Sequence, residues 1–72
     1  MKTPQQRLEG FGQRLEGMRW LLKMTQADLA AETGLKPTAI SHFETGNCRP
    51  SALNIIRLCL ALQCTSDELL GI

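Results

Sequence analysis

Residues 25–50 read TQADLAAETGLKPTAISHFETGNCRP, and this stretch contains the start and stop signals of two short helices. Thr25 can cap the first helix, because its hydroxyl oxygen can accept a hydrogen bond from a first-turn backbone N–H group. Gly34 stands where that helix should end in a left-handed residue. Pro37 suits the first position of the second helix, because its φ is already near the helical value and no N–H group is needed there. Gly46 stops the second helix, so the stretch predicts two helices joined by a tight turn.

The same stretch places apolar residues where each helix could face a core. Leu29 and Ala30 should point inward from the first helix. Ile40 and Phe43 lie three residues apart and give the second helix a narrow apolar face. A helix, a short glycine turn and a second helix form the helix-turn-helix plan, in which the second helix can enter the major groove of DNA.

Residues on both sides of this unit extend the pattern. Within the quoted stretch, the residues that carry it are Thr25-Gln26, Asp28-Leu29-Ala30, Gly34, Ile40-Ser41, Glu44, Gly46 and Pro50. Outside it they are Arg14-Leu15, Met18-Arg19, Ala61-Leu62, Thr65 and Asp67-Glu68-Leu69. Together they resemble the lambda-repressor-like (Cro/repressor, XRE-type) helix-turn-helix family over residues 13–70. The resemblance implies a compact, all-α DNA-binding domain of five helices, with the helix-turn-helix as helices two and three.

The patterns along the chain predict one helix-turn-helix domain over residues 8–72. Its expected helices cover residues 8–24, 25–33, 37–45, 51–62 and 65–70. A flexible arm over residues 1–7 should precede it, and Lys2 and Arg7 of this arm could touch DNA. A disordered terminus without such contacts is the simpler alternative.

The first helix has a core stripe and two apolar residues outside it. The residues at helical spacing that should face the core are Leu8, Phe11, Leu15, Met18 and Leu22. Trp20 and Leu21 fall outside the stripe, so we expect them to form an exposed apolar patch that could contact a partner. In the alternative, Trp20 lies over the N-terminal segment and covers its glycines.

The fourth helix has two apolar stripes. The stripe expected to face the core consists of Ala52, Ile55, Leu58, Cys59 and Leu62. A second stripe consists of Leu53, Ile56 and Leu60. A domain of this size cannot bury both sides of one helix, so we expect the second stripe to face another copy of the chain in a homodimer. The alternative is that Leu8 and Phe11 of the same chain fold over it.

The resemblance assigns roles to side chains in and around the helix-turn-helix. The positions that should read base edges are Pro37, Thr38, Ser41 and His42. The positions that should contact DNA phosphates are Thr25, Gln26, Lys36, Thr45, Asn47 and Arg49. The resemblance also implies a partly buried, structural ion pair between Arg19 and Glu44. The base-reading set lacks the arginine, asparagine and glutamine readers that discriminate most sharply, so we expect modest selectivity at each half-site.

Charge gives weaker support for a DNA partner. The 72 residues are 43% apolar and 21% charged, as in a globular domain, and the net charge is only +1. Residues 1–24 carry five basic and two acidic side chains, whereas residues 25–46 carry one basic and three acidic ones. Phosphate contacts supply much of the affinity of DNA-binding proteins, so two copies on one duplex would compensate for the acidic helix-turn-helix.

The sequence predicts neither a cofactor nor a metal site. Cys48, Cys59 and Cys64 are odd in number and contain no C-x-x-C pair, which indicates reduced thiols. A zinc site that combined them with His42 would have a spacing unlike known frameworks. The chain has no apolar run long enough to cross a membrane and no apolar signal segment, so we expect a cytoplasmic protein.

These patterns favour a sequence-specific DNA-binding transcriptional regulator, a repressor that binds a pseudo-palindromic operator as a homodimer. Both a phage-type repressor and an antitoxin-type repressor fit, the latter with a toxin or another regulator as a further protein partner. The alternative is a protein-interaction module that keeps the fold but binds little DNA, which the near-neutral charge and Pro37 would suit. No pattern of catalytic residues predicts an enzyme or a small-molecule substrate.

Overall fold

Five helices make up the part of the chain that the computed structural model describes, residues 10–71. Their bounds are α1 Phe11–Leu21, α2 Gln26–Thr33, α3 Pro37–Thr45, α4 Ala52–Leu62 and α5 Ser66–Leu70. The predicted all-α, five-helix architecture is therefore confirmed, with α2 and α3 as the helix-turn-helix. The expected arm over residues 1–7 and Leu8 lie outside the described residues. Within residues 10–71, no helix combines the length and apolar character needed to cross a membrane.

Side-chain caps begin three of the helices. The Thr25 hydroxyl oxygen accepts a hydrogen bond from the Asp28 backbone N–H at 3.0 Å, and the Asp28 carboxylate accepts one from the Thr25 N–H at 2.9 Å. This reciprocal capping box satisfies two N–H groups that the helix itself leaves unpaired. The hydroxyl oxygens of Ser51 and Thr65 cap α4 and α5 by accepting from the backbone N–H groups of Asn54 and Glu68. The hydrogen bond that the Thr25 backbone N–H donates to the carboxylate, followed by an interaction with the Thr25 side chain, holds the pKa of Asp28 below its ordinary value.

Glycines in the left-handed region end α2 and α3. Gly34 has a φ of 76° and Gly46 a φ of 83°, values that other residues rarely adopt. The Gly34 N–H donates to the Ala30 carbonyl at 2.9 Å, which closes the last turn of α2. Pro37 then occupies the first turn of α3. The turn between the two helices thus follows from local sequence chemistry.

Every helix contributes one fully buried side chain to a common core. These five residues are Leu15, Leu29, Ile40, Leu58 and Leu69. Phe11, Ala30, Phe43 and Leu62 are also buried and complete the cluster. Burying a leucine or isoleucine stabilises a fold by about 1.5–3 kcal/mol relative to exposure, so the five helices depend on one another.

The end of α1 differs from the expected one. The helix stops at Leu21 rather than at residue 24, because Lys23 adopts a left-handed φ of 58° and turns the chain. Leu22 is 42% exposed, so its predicted core position is wrong. Met24 follows the turn and packs against the core instead.

The expectation for Ala52 and the alternative for Phe11 are wrong. Ala52 is exposed rather than buried, because it occupies the first turn of α4, at the end away from its buried residues Leu58 and Leu62. Phe11 lies in the core at 4% exposure, so it does not fold over Leu53 and its neighbours on α4.

Arg14 connects the first helix to the last. Its Nε donates to the Leu69 carbonyl at 2.9 Å, and its Nη2 donates to the Leu70 carbonyl at 2.8 Å. Carbonyls at a helix C-terminus carry partial negative charge and lack partners within the helix, which suits a guanidinium group. Arg14 therefore fixes the end of α5 against α1.

Candidate nucleic-acid interface

Helix α3 has one buried face and one polar, outward face. Ile40 is fully buried and Phe43 is 4% exposed, and these two anchor the helix to the core. The candidate base-reading residues lie on the other side: Pro37, Thr38 and His42 are exposed and Ser41 is half-buried. Their spacing places them on a single surface over the first two turns of the helix. We call this surface, Pro37, Thr38, Ser41 and His42, the reading face.

The reading face offers hydrogen-bonding groups and two apolar contacts. The hydroxyls of Thr38 and Ser41 can donate or accept, and an imidazole N–H of His42 can donate to guanine N7 or O6. The Thr38 methyl group and the Pro37 ring can contact a thymine methyl group. The set can therefore read base edges through single hydrogen bonds and apolar contacts.

Candidate phosphate-contacting residues lie at both ends of α3. Lys36 precedes the helix, and Asn47 and Arg49 follow it, and all three are exposed. Thr45 is exposed too, but its hydroxyl donates to the His42 carbonyl at 3.3 Å within the helix. Thr25 stands at the start of α2, where its hydroxyl oxygen already caps the helix.

A buried ion pair joins α1 to α3. Arg19 Nε donates to Glu44 Oε2 at 2.8 Å, and Arg19 Nη2 donates to Glu44 Oε1 at 3.1 Å. The two side chains are only 7% and 4% exposed. The hydrogen bond to Glu44 raises the pKa of Arg19 above its ordinary value, so the guanidinium stays charged. A two-pronged pair of this kind fixes orientation as well as distance.

Two further hydrogen bonds complete the network around this pair. Gln26 Nε2 donates to Glu44 Oε1 at 3.1 Å, which brings the start of α2 beside the last turn of α3. Arg19 Nη1 donates to the Met24 carbonyl at 2.8 Å. Among the described residues, no buried side-chain nitrogen or oxygen lacks a partner. The role of Met24 has no signal in the sequence, because it depends on the left-handed turn at Lys23.

The ion pair changes the charge of the helix-turn-helix. Glu44 is neutralised by Arg19, which comes from outside residues 25–46. Asp28 and Glu32 remain exposed on α2, while Lys36 and Arg49 are exposed on either side of α3. The surface around α3 is therefore less acidic than the sequence count implies.

Two groups of apolar side chains are exposed away from α3. On α4, Leu53 and Ile56 are each 56% exposed and Leu60 is 76% exposed. We call these three residues the α4 stripe. At the end of α1, Trp20 is 64% exposed and Leu21 is 83% exposed. The alternative in which Trp20 covers the N-terminal segment involves residues outside the described ones.

The cysteines occupy two environments. Cys48 is exposed in the loop after α3, whereas Cys59 and Cys64 are half-buried and pack against the core. Burial and the neighbouring Cys59 raise the pKa of the Cys64 thiol to about 11. Within the part of the chain that the structure describes, no group of three or more histidine, cysteine or acidic residues could hold a metal ion.

We expect slow alkylation of Cys64. Raising the thiol pKa from 9.0 to about 11 leaves about one hundredth of the reactive thiolate at pH 8, so iodoacetamide should react about 100-fold more slowly than in urea-unfolded protein. Mass spectrometry of digested samples measures this rate, and the exposed Cys48 serves as the internal control. Equal rates for Cys64 in folded and unfolded protein would contradict its burial.

Comparison with known proteins agrees with this geometry. A family model described as helix-turn-helix matches residues 18–69. Repressor protein C2 of Salmonella phage P22 is 39% identical over 60 residues, which cover 83% of this chain and 28% of that protein. The CTXphi transcriptional repressor RstR of Vibrio cholerae is 34% identical over 59 residues, which cover 82% of this chain and 53% of that protein. The chain thus spans about a quarter and about half of these two relatives.

Solved structures show the same likeness. The restriction-modification controller protein C.AhdI from Aeromonas hydrophila has a TM-score of 0.83 and 35% identity, over 86% of this chain and 94% of that one. The P22 c2 repressor in complex with a synthetic operator has a TM-score of 0.79 and 37% identity, over 82% of this chain and 89% of that one. The resemblance inferred from the sequence is confirmed: the chain belongs to the lambda-repressor-like, XRE-type helix-turn-helix family.

Proposed function

We propose that this chain is a sequence-specific DNA-binding transcriptional regulator that represses by occupying an operator. The observation that carries the proposal is the exposed reading face of α3, held in place from behind by the buried Arg19–Glu44 pair. Support comes from P22 C2 and RstR, which are named as repressors, and from the P22 protein solved with operator DNA. We further propose that it acts in the cytoplasm, in line with a DNA partner.

The proposed roles divide between the reading face and its surroundings. Pro37, Thr38, Ser41 and His42 read base edges in the major groove. The proposed phosphate contacts position the protein and carry no sequence information. They are Thr25, Gln26, Lys36, Thr45, Asn47 and Arg49. Gln26 has a second role, because its bond to Glu44 links these contacts to the last turn of α3.

We further propose that two copies bind together through the α4 stripe. Its three large apolar side chains are more than half exposed in the single chain, and a second copy would remove them from water. A two-fold pair would set two reading faces about 34 Å apart, one helical turn of DNA, on a pseudo-palindromic operator. Doubling the phosphate contacts also offsets the low net charge of +1.

The relatives favour DNA binding over the protein-interaction alternative. P22 C2 and RstR are repressors of phage origin, which favours a phage-type repressor over an antitoxin-type repressor. The exposed Trp20 and Leu21 remain candidates for a protein partner in addition to DNA.

Binding to duplex DNA across a salt series tests the proposal. If Lys36 and Arg49 of both copies contact phosphates, the slope of log K against log salt should be about −4, from about −0.9 per contact. Selection from random duplexes should then enrich an inverted repeat. Absence of binding at low salt would reject the proposal and favour the interaction module.

Two alanine variants separate base reading from phosphate contact. His42→Ala should change the enriched motif at one position of each half-site, because it removes a base-edge donor. Arg49→Ala should keep the motif, weaken all sequences alike and reduce the salt slope by about 2 for a dimer. If Arg49→Ala changed the motif and His42→Ala only weakened binding, Arg49 would be the base-reading residue and His42 the phosphate contact.

A further inference from the structure

Gly12 of α1 lies against the backbone of α3. The residue is buried, and a Cβ atom added to it would clash with the carbonyl oxygen of Glu44. It would also lie 2.7 Å from the Glu44 carbonyl carbon and 2.8 Å from the Phe43 carbonyl oxygen. Backbone atoms within a helix cannot rotate away as a side chain can. Only glycine therefore permits this approach of the two helices.

The other glycines of α1 and its start have different surroundings. A Cβ at Gly17 would meet nothing within 4 Å. A Cβ at Gly10 would meet only the flexible side chain of Arg14. The close approach is thus specific to the point where α1 crosses the end of α3.

The same helix holds Glu44 at a second point. Arg19 binds the Glu44 carboxylate, and Arg19 follows Gly12 by seven residues, two turns along the same face of α1. The Gly12 contact sets how closely the end of α3 approaches α1. The Arg19–Glu44 pair sets the rotation of α3 about its own axis. We propose that Gly12 is a positioning residue for DNA reading. It sets the distance between α1 and the end of α3, and thereby the position of the reading face.

The size of the effect follows from the geometry. Relief of the clash requires the two backbones to separate by on the order of 1 Å, because an ordinary Cβ contact lies beyond about 3.4 Å. Binding sites need their groups held within about 0.5 Å of the productive position. Phosphate contacts from long, exposed side chains tolerate such a shift better than base contacts do. Gly12 therefore affects the ratio of specific to non-specific affinity.

Gly12→Ala tests this inference, with Gly17→Ala as the matched control on the same helix. Both variants are measured against the selected inverted repeat and against random duplex DNA, under conditions where circular dichroism shows them folded. Gly12→Ala should lose at least tenfold in affinity for the inverted repeat and less than threefold for random DNA. Gly17→Ala should keep both affinities and raise Tm, because alanine favours the helix.

A second readout does not depend on DNA. In the free protein, Gly12→Ala should shift the amide resonances of Thr38, Ser41 and His42, whereas Gly17→Ala should leave them unchanged. The inference rests on the proposed function, and the two fail separately. A wild-type protein that binds no DNA rejects the function, while unshifted resonances or an unchanged affinity ratio in Gly12→Ala reject the positioning role.

A folding defect is handled by two stabilising conditions. If Gly12→Ala is unfolded in buffer, the comparison is repeated in the Gly17→Ala background and in trimethylamine N-oxide, which favours the folded state. Loss of the affinity ratio in the refolded variant supports the inference. A Gly12→Ala chain that folds under neither condition would make Gly12 a folding residue and would overturn it.

Discussion

Replacing Arg19 by methionine is expected to lower the free energy of unfolding by about 3–5 kcal/mol. The change removes the guanidinium and leaves the Glu44 carboxylate, 4% exposed, with Gln26 as its remaining side-chain donor. A buried charge without an opposite charge is costly, whereas an exposed ion pair contributes at most about 1 kcal/mol. Tm should fall by roughly 12 °C or more for a domain of this size. Urea and thermal unfolding followed by circular dichroism measure both quantities.

Two further variants separate pairing from general sensitivity to charge. Glu32→Gln removes an exposed carboxylate from α2 and should change the free energy of unfolding by less than about 0.5 kcal/mol. The double change Arg19→Met with Glu44→Leu removes both charges and should recover most of the loss, because no charge is left buried. A cost below about 1 kcal/mol for Arg19→Met would show that water reaches the pair and that it does not hold α3.

The second large effect is expected from the α4 stripe. Leu53→Glu combined with Ile56→Glu should give a folded monomer, because both side chains are exposed and neither belongs to the core. Affinity for the inverted repeat should fall on the order of 100-fold or more, since each half-site is then bound independently. Sedimentation measures the mass of the particle, circular dichroism its helix content, and titration of the inverted repeat its affinity.

The matched control places the same charges on the other exposed apolar group. Trp20→Glu with Leu21→Glu adds two carboxylates to the end of α1, where the side chains are 64% and 83% exposed. This variant should stay dimeric, and its loss of DNA affinity reports the effect of added charge together with loss of the Trp20 ring, whose centroid lies 5.3 Å from the Arg19 guanidinium carbon. A monomer from this control, with the α4 variant still dimeric, would move the interface to Trp20 and Leu21. Unfolding of the α4 variant would make that stripe part of the core.

Much of the helix-turn-helix can be read from local sequence. Thr25 starts α2, Gly34 ends it, Pro37 starts α3 and Gly46 ends it, as predicted. These signals act between residues at most four positions apart, so they need no knowledge of the rest of the chain. The buried apolar residues of α2 and α3 were predictable for the same reason, because helical spacing alone separates the inner face from the reading face.

Other features depend on helices that are distant in sequence. The left-handed turn at Lys23 exposes Leu22 and packs Met24 against the core in its place, although helical spacing favoured Leu22 for that position. The exposure of the α4 stripe likewise depends on which side of α4 the other helices cover. Periodicity identifies the apolar residues on a helix, but the packing of the neighbouring helices decides which of those residues are buried.

The sequence by itself determined where α2 and α3 begin and end, which side chains α3 turns outward and which family the chain resembles. Only the tertiary structure decided that Glu44 is neutralised by Arg19, and that Gly12 meets the backbone of the same residue. Residues 25 and 32 positions apart in the chain make these contacts. Such contacts arise because every helix buries one leucine or isoleucine in a common core, which brings distant parts of the chain into contact. A local sequence pattern does not show where two helices cross.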